Sequence, residues 1–233
     1  MRDIFKQFDI ELSDQQENKL KEYYKILVEE NKKMNLTSIT EYEDVVWKHF
    51  LDSALIMKDS LWNGKNKVFD VGTGAGFPGI VLAILNPESK FVLLDSLNKR
   101  VDFLKQVCDK LKINNVTAIH GRAEDYAKDA AYREQYDLCV SRAVANLATL
   151  SEYCLPYVKV DGMFVPYKSG EIDEEVKESS KAVKILGGKI EDVVKFELPG
   201  TDIGRSFVKI HKVKNTAKKY PRKAGMPSKE PIR

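Results

Sequence analysis

Residues 68–79, Val-Phe-Asp-Val-Gly-Thr-Gly-Ala-Gly-Phe-Pro-Gly, constrain this chain more than any other stretch. An apolar run enters a crowd of glycines, and an apolar helical pattern at 80–85 follows at once. A strand that turns into a helix over glycines lets a ligand lie against bare backbone at the helix N-terminus. The spacing narrows the ligand. The dinucleotide fingerprint G-x-G-x-x-G/A needs a small residue at its sixth position, which here is Phe77, too bulky for close helix–strand packing. A phosphate-binding P-loop needs a Lys-Ser/Thr pair after its glycines, and none follows. What remains is D-x-G-x-G-x-G, built from Asp70, Gly72, Gly74 and Gly76. A glycine-rich turn without a ligand is the plain alternative.

That spacing resembles motif I of the class I S-adenosylmethionine-dependent methyltransferases. The resemblance implies donor contacts at Asp70, Gly72, Thr73, Gly74, Gly76, Phe77 and Pro78. A second acid supports it. The run Phe91 to Leu94 ends in Asp95, as a buried parallel strand would. An acid about 20 residues beyond the glycines has two acceptor oxygens to match a ribose diol, although capping a helix is the other use for an acid there. A third run, 116–120, leads into Gly121-Arg122-Ala123-Glu124-Asp125. This resembles the methyltransferase loop that reads the adenine edge, so Ala123 and Glu124 are adenine-contact candidates, with a helix cap as the alternative for Glu124.

The remaining pattern alternates strand and helix. Strands are predicted at 67–72, 91–95, 116–120, 136–141, 161–168, 190–198 and 205–213, and helices at 77–85, 98–111, 144–154 and 171–186. Such alternation implies an α/β fold, a doubly wound and mostly parallel seven-stranded sheet of Rossmann-like type. The last two strands, joined across 199–204, read as an antiparallel hairpin at the edge. Before the first strand, Ser13 to Gln16 reads as a capping box opening a helix with Leu20, Tyr23, Tyr24, Leu27 and Val28 on one side. Thr40 to Glu43 repeats the signature ahead of Val45, Val46, His49, Phe50, Ser53 and Ile56. The expected organisation is a helical extension over 1–60, a methyltransferase domain over 61–213 and a basic tail over 214–233 belonging to the same unit.

Composition excludes several classes. The 43% hydrophobic content supports a core, yet no apolar run approaches the ~18 residues that suggest a membrane span. The N-terminus is too charged for a signal peptide. Cys108, Cys139 and Cys154 are scattered, as reduced thiols of a cytoplasmic protein would be. No Cys or His pair has metal-ligand spacing, so no metal is expected, and nothing demands more than a monomer.

Charge points to the partner. From Lys209 onward nine Lys and Arg face only Glu230, a net +8; the whole chain carries +3, so the rest carries −5. A basic tail on a mildly acidic body reads as a contact to phosphate backbone, and Tyr220, Pro221 and Gly225 suggest a fixed segment rather than a solvated one. The fourth strand ends at Ser141-Arg142-Ala143, where the acceptor meets the methyl group in the methyltransferase fold. The Asp/Asn-Pro-Pro-aromatic sequence of amino-methylating enzymes is absent. Cys139 and Cys154 lie inside predicted elements and do not look like the nucleophile that pyrimidine carbon methylation needs. An acceptor whose lone pair is already free, such as guanine N7, fits these absences.

Five ordered motifs then make the resemblance specific: 35–40 (Asn-Leu-Thr-Ser-Ile-Thr), 49–53 (His-Phe-Leu-Asp-Ser), the 70–79 loop, Ser141-Arg142-Ala143, and 220–225 (Tyr-Pro-Arg-Lys-Ala-Gly). Together they resemble the bacterial 16S ribosomal RNA guanine-N7 methyltransferase family, RsmG, also known as GidB, over nearly the whole chain. Two positions depart from the family's pattern: Val81 stands where many relatives have proline, and Ser169 follows Lys168 where glycine is usual. The resemblance implies transfer of a methyl group from S-adenosyl-L-methionine to one guanine of the 530 loop of 16S rRNA (G527 in the usual RNA numbering). The partner is 16S rRNA, the small ribosomal subunit or an assembly intermediate of it. The expected chemistry is direct in-line attack at roughly 3–3.5 Å without a general base. Arg142 is the expected catalytic residue and also touches the donor side. Its fork suits guanine O6 or a phosphate, while an ion pair with Asp52 is the alternative. Arg205, Arg222 and Lys223 are RNA-backbone candidates. His49 and Asp52 share one helical face, either over the donor pocket or pinning the extension to the sheet. Methylation of another RNA or of a small molecule, and RNA binding without catalysis, stay open as alternatives.

Overall fold

The apolar runs fold as β1 (Lys67–Val71), β2 (Lys90–Asp95), β3 (Val116–His120), β4 (Tyr136–Arg142), β5 (Val158–Ser169), β6 (Gly188–Leu198) and β7 (Ile203–Lys212). In this computed structural model, which describes residues 1–58, 62, 64–198 and 201–233, they form one sheet in the order β3–β2–β1–β4–β5–β7–β6. β1 pairs in parallel with β2 and β4, β3 with β2, and β5 with β4, whereas β7 runs antiparallel between β5 and β6. Around the sheet lie α1 (Arg2–Lys6), α2 (Asp14–Met34), α3 (Tyr42–Val45), α4 (Asp52–Ala54), α5 (Gly79–Leu85), α6 (Asn98–Leu111), α7 (Ala123–Tyr126), α8 (Leu147–Cys154), α9 (Asp173–Ile185) and α10 (Met226–Lys229).

Alternating strand residues feed two cores, because successive side chains point to opposite faces. Val68, Leu138 and Val165 join one core with Ile80, Val107, Leu20, Tyr23 and Phe50. Phe69, Cys139 and Phe164 join the other with Leu147, Leu155 and Ile210. Val68 to Val71 are all buried, as expected of a strand covered on both faces. Each such aromatic or aliphatic side chain contributes roughly 1.5–3 kcal/mol by leaving water. The N-terminal helices therefore complete a core of the sheet. The predicted boundary between 60 and 61 lies outside the described residues, as do Pro199 and Gly200 of the predicted hairpin turn.

Several expected details change. Ser13 does form a capping box with Gln16, but Thr40–Glu43 does not: Glu41 caps α3 without a side-chain bond, and the Thr40 carbonyl accepts the Tyr24 hydroxyl at 3.1 Å. The helix predicted after it is not uniform. A π-helical segment, Val46–Leu51, separates α3 from α4, and a 3₁₀ turn, Leu55–Lys58, ends the run; irregular turns of this kind concentrate at functional sites. The helix predicted from 77 starts at Gly79, whose N–H is held by Asp70 Oδ2 at 2.9 Å. The helix predicted from 144 starts at Leu147, because Asn146 caps it through the Thr149 N–H. Strand β5 starts earlier than predicted, at Val158, and β7 takes in Ile203 and Gly204, which the sequence placed in the turn.

Candidate active site

Strand order reverses between β1 and β4, and in open α/β sheets ligands bind in the crevice outside the carboxyl ends at such a point. Gly72, following β1, is in the left-handed region at φ +70°, and a Cβ there would come within 2.5 Å of Val144. Gly74 has φ +61° with nothing within 4 Å of the Cβ position, so its backbone is bare toward open space. Asp70 lies beneath the loop, wholly buried, and burial pushes its carboxyl up to about 7. Asp95, 2% exposed, accepts the N–H groups of Gly74 and Leu97, both at 2.9 Å.

A cavity of about 260 Å³ occupies this position, lined by Gly72, Asp95, Gly121, Ala123, Glu124 and Val144 among others. Of the predicted donor residues, Gly72, Asp95, Ala123 and Glu124 thus line one crevice. Asp70, Thr73, Gly74, Gly76, Phe77 and Pro78 shape the loop beside it. Phe77 packs against Tyr23 and Phe50, and the buried Tyr23 hydroxyl bonds the Ala75 carbonyl, so α2 braces the glycine loop. A nucleoside fits this chemistry: bare backbone, a twin-oxygen acid and a slot with both apolar walls, Val71, Leu94 and Val144, and polar ones.

Val144 and Ala145 also wall a second, larger cavity of about 570 Å³, lined by Lys48, His49, Asp52, Arg142, Lys168 and Arg205 among others. Its centre is a network of charge-assisted bonds. Asp52, 1% exposed, accepts Arg142 Nη1 at 2.9 Å on one oxygen and Arg205 Nε at 3.2 Å on the other. Arg142 lies over the Phe77 ring, 5.1 Å from its centroid, and also bonds the Lys48 carbonyl and His49 Nδ1, at 3.3 and 3.2 Å. Nδ1 thus faces both a donor, Arg142 Nη2, and an acceptor, the Lys48 carbonyl at 3.2 Å, and Nε2 meets Thr37 Oγ1 at 2.8 Å. Burial, then the charge of Arg142, depresses the His49 pKa to about 3. Lys168 is tied to Glu175 at 2.6 Å and to the Ala145 carbonyl at 2.8 Å. The Arg142–Asp52 ion pair, the alternative reading for Arg142, is present, and it stands inside the pocket rather than apart from it.

The tail is fastened rather than loose. Arg222 grips Glu152, 1% exposed, through Nε and Nη2 at 2.7–3.1 Å and through its backbone N–H at 2.8 Å. Arg133 bonds the carbonyls of Thr216 and Tyr220 at 2.7 and 3.0 Å, and Lys212 is buried against Glu134 at 3.1 Å. Of the predicted RNA contacts, Arg205 lines the larger cavity, Lys223 is exposed, and Arg222 holds the tail to α8. Sequence reading missed Glu152, Thr37 and Lys48. Thr37 lay unassigned within the 35–40 motif, and Glu152 left a trace as a lone acid in the otherwise uncharged Leu-Ala-Thr-Leu-Ser-Glu-Tyr-Cys helix. Among the described residues no group of three metal-binding side chains occurs, and no helix is long and apolar enough to cross a membrane.

Sheet order, edge hairpin and crevice define a class I S-adenosylmethionine-dependent methyltransferase fold. A SAM-dependent methyltransferase from Aquifex aeolicus has a TM-score of 0.56 to this chain at 19% identity, over 76% of this chain and 96% of its own. The fibrillarin pre-rRNA processing protein of Methanococcus jannaschii scores 0.53 at 20% identity, over 70% and 74%. Sequence comparison is more specific. The family described as rRNA small subunit methyltransferase G (GidB) matches residues 16–219. Curated proteins named ribosomal RNA small subunit methyltransferase G from Clostridium novyi and Alkaliphilus oremlandii are 50% and 49% identical, covering 96% and 100% of this chain and 92% and 99% of theirs. This chain belongs to the rRNA small subunit methyltransferase G family, and it is an enzyme of the methyltransferase class.

Proposed function

We propose that the chain methylates N7 of a guanine in the 530 loop of 16S rRNA (G527), in the small subunit or an assembly intermediate, with S-adenosyl-L-methionine as donor. One observation carries the reading: both carboxylates and the histidine lining the large cavity are already engaged, Glu175 by Lys168 and the Leu147 N–H. His49 is the natural candidate, yet burial and the charge of Arg142 depress its pKa to about 3, and both ring nitrogens already have partners. The Asp52 carboxylate is shared between two guanidinium groups. An acceptor needing deprotonation finds no partner there, whereas N7 attacks through a free lone pair.

Gly72, Asp95, Ala123 and Glu124 would hold the donor, whose contribution when bound is an electrophilic methyl group. Arg142 does the orienting. Its guanidinium is fixed by Asp52, the Lys48 carbonyl and His49, and its remaining donors suit guanine O6 or an adjacent phosphate. Arg205 and Lys223 add phosphate contacts, and Arg222 acts by fixing the tail. Holding the reactants in one geometry accounts for most of the rate when no proton need be moved.

The test is incubation of small subunits lacking the modification with labelled donor, followed by mapping of the label. Label at the 530-loop guanine is expected, with incorporation falling steeply as salt rises, since each phosphate contact releases counterions. Label confined to another nucleotide or to a small molecule would overturn the substrate assignment.

A further inference from the structure

One wall of the donor crevice comes from neither the glycine loop nor the strand tips. Ser228, in α10, and Tyr153, in α8, line it beside Glu124. Three ties hold the tail there: Arg222 on the buried Glu152 carboxylate, the Gly225 N–H on Glu124 Oε1 at 2.8 Å, and Thr149 Oγ1 on the Pro227 carbonyl at 2.9 Å. Strand order fixes which part of a nucleoside meets this wall. Gly72 follows β1, Asp95 ends β2, and Ala123 and Glu124 follow β3, the outermost of the three. A nucleoside with its ribose at Asp95 therefore places its base on the β3 side, against Glu124 and the tail. The Ser228 hydroxyl donates to the Gly225 carbonyl at 3.0 Å and is also paired with the Tyr153 side chain, so with its proton committed its oxygen has one lone pair left for the crevice. An oxygen restricted to accepting attracts an amino group and repels a carbonyl oxygen.

We propose that the C-terminal tail is the base-end wall of the donor crevice, and that Ser228 selects a 6-aminopurine nucleoside over its 6-oxo counterpart. This rests on the donor reading above and gives the tail a role beyond phosphate contact.

Calorimetry on the full chain with S-adenosylhomocysteine and S-inosylhomocysteine tests it. Wild type is expected to prefer the adenosyl compound, and Ser228→Ala to lower that preference about threefold to tenfold, the worth of one hydrogen bond. Ser228 is exposed, so a larger side chain is tolerated by the fold, and thermal unfolding of each variant verifies this. Ser228→Trp should fill the wall and weaken both compounds by more than about tenfold. Unchanged affinity in Ser228→Trp overturns the wall, and unchanged preference in Ser228→Ala overturns the selection. If wild type itself binds neither compound, the donor reading falls and takes this inference with it.

Discussion

The two cavities share Val144 and Ala145 but are made of different material. The smaller crevice is shaped mainly by backbone: bare glycines, N–H groups and two acids, Asp95 and Glu124, whose oxygens bind backbone. The acceptor cavity is shaped by side-chain charge, with Asp52 between Arg142 and Arg205 and a neutral His49 behind them. A backbone site is rigid and sensitive to a single added methyl group. A charge network is sensitive to loss of one partner, because the others are then left partly desolvated and unpaired. The two halves should therefore fail in different ways.

The largest effect is expected at Asp52. Asp52→Ala leaves two guanidinium groups without their shared anion and should destabilise the fold by about 3 kcal/mol, as breaking a buried pair does. Urea unfolding measures this, and a change below the usual surface range would show that the network is incidental. Next comes Arg142→Ala, expected to lower methyl transfer to ribosomal RNA about a hundredfold, the cost of a misplaced reactant. Donor affinity by calorimetry should stay within a few-fold. Equal loss of both would merge the two cavities into one functional unit and end the distinction.

Gly79→Ala probes the other side. Its Cβ would come within 2.2 Å of Leu93 Cδ2 and 2.7 Å of Asp70 Oδ2, so overpacking should cost about 2 kcal/mol and weaken donor binding first. Retained donor affinity in a folded Gly79→Ala protein would mean that the loop gives way more easily than its contacts suggest. The pH dependence is of similar size and develops only on acidification. The His49 pKa is depressed to about 3 against an ordinary 6.5, so the unfolded state gains a proton on acidification and the folded state does not. Stability is lost as pH falls below 6.5, by about 2 kcal/mol at pH 5. Asp70, raised to about 7, works the other way, losing stability as pH rises from its unfolded value of about 4 toward 7. The pH profile of wild type minus that of His49→Gln isolates the histidine, and a flat difference would refute its buried, neutral state.

How much was readable in advance follows the same division. The strand–glycine–helix turn, Asp95 and the alternation of elements are local patterns, since backbone conformation and face-to-face periodicity depend on neighbours in sequence. They led to the sheet, to the methyltransferase class and, with the loop after β3, to four residues that line one crevice. Short pieces escaped: α1, α7 and α10 are too brief to show a period, and the π-helical segment at Val46–Leu51 has no signature beyond an ordinary helical pattern.

Sequence alone determined the fold class and family membership, because each rests on short local motifs whose residues lie within one turn or strand of one another, repeated in order along the chain. Only the tertiary structure decided that Lys48, His49, Asp52, Arg142 and Arg205 share a single cavity, and that Arg222 anchors the tail to Glu152. Those pairings join residues 70 or more positions apart. Coulombic and hydrogen-bond partners at such separations are chosen by sheet order and helix packing, which leave no periodic mark on the chain.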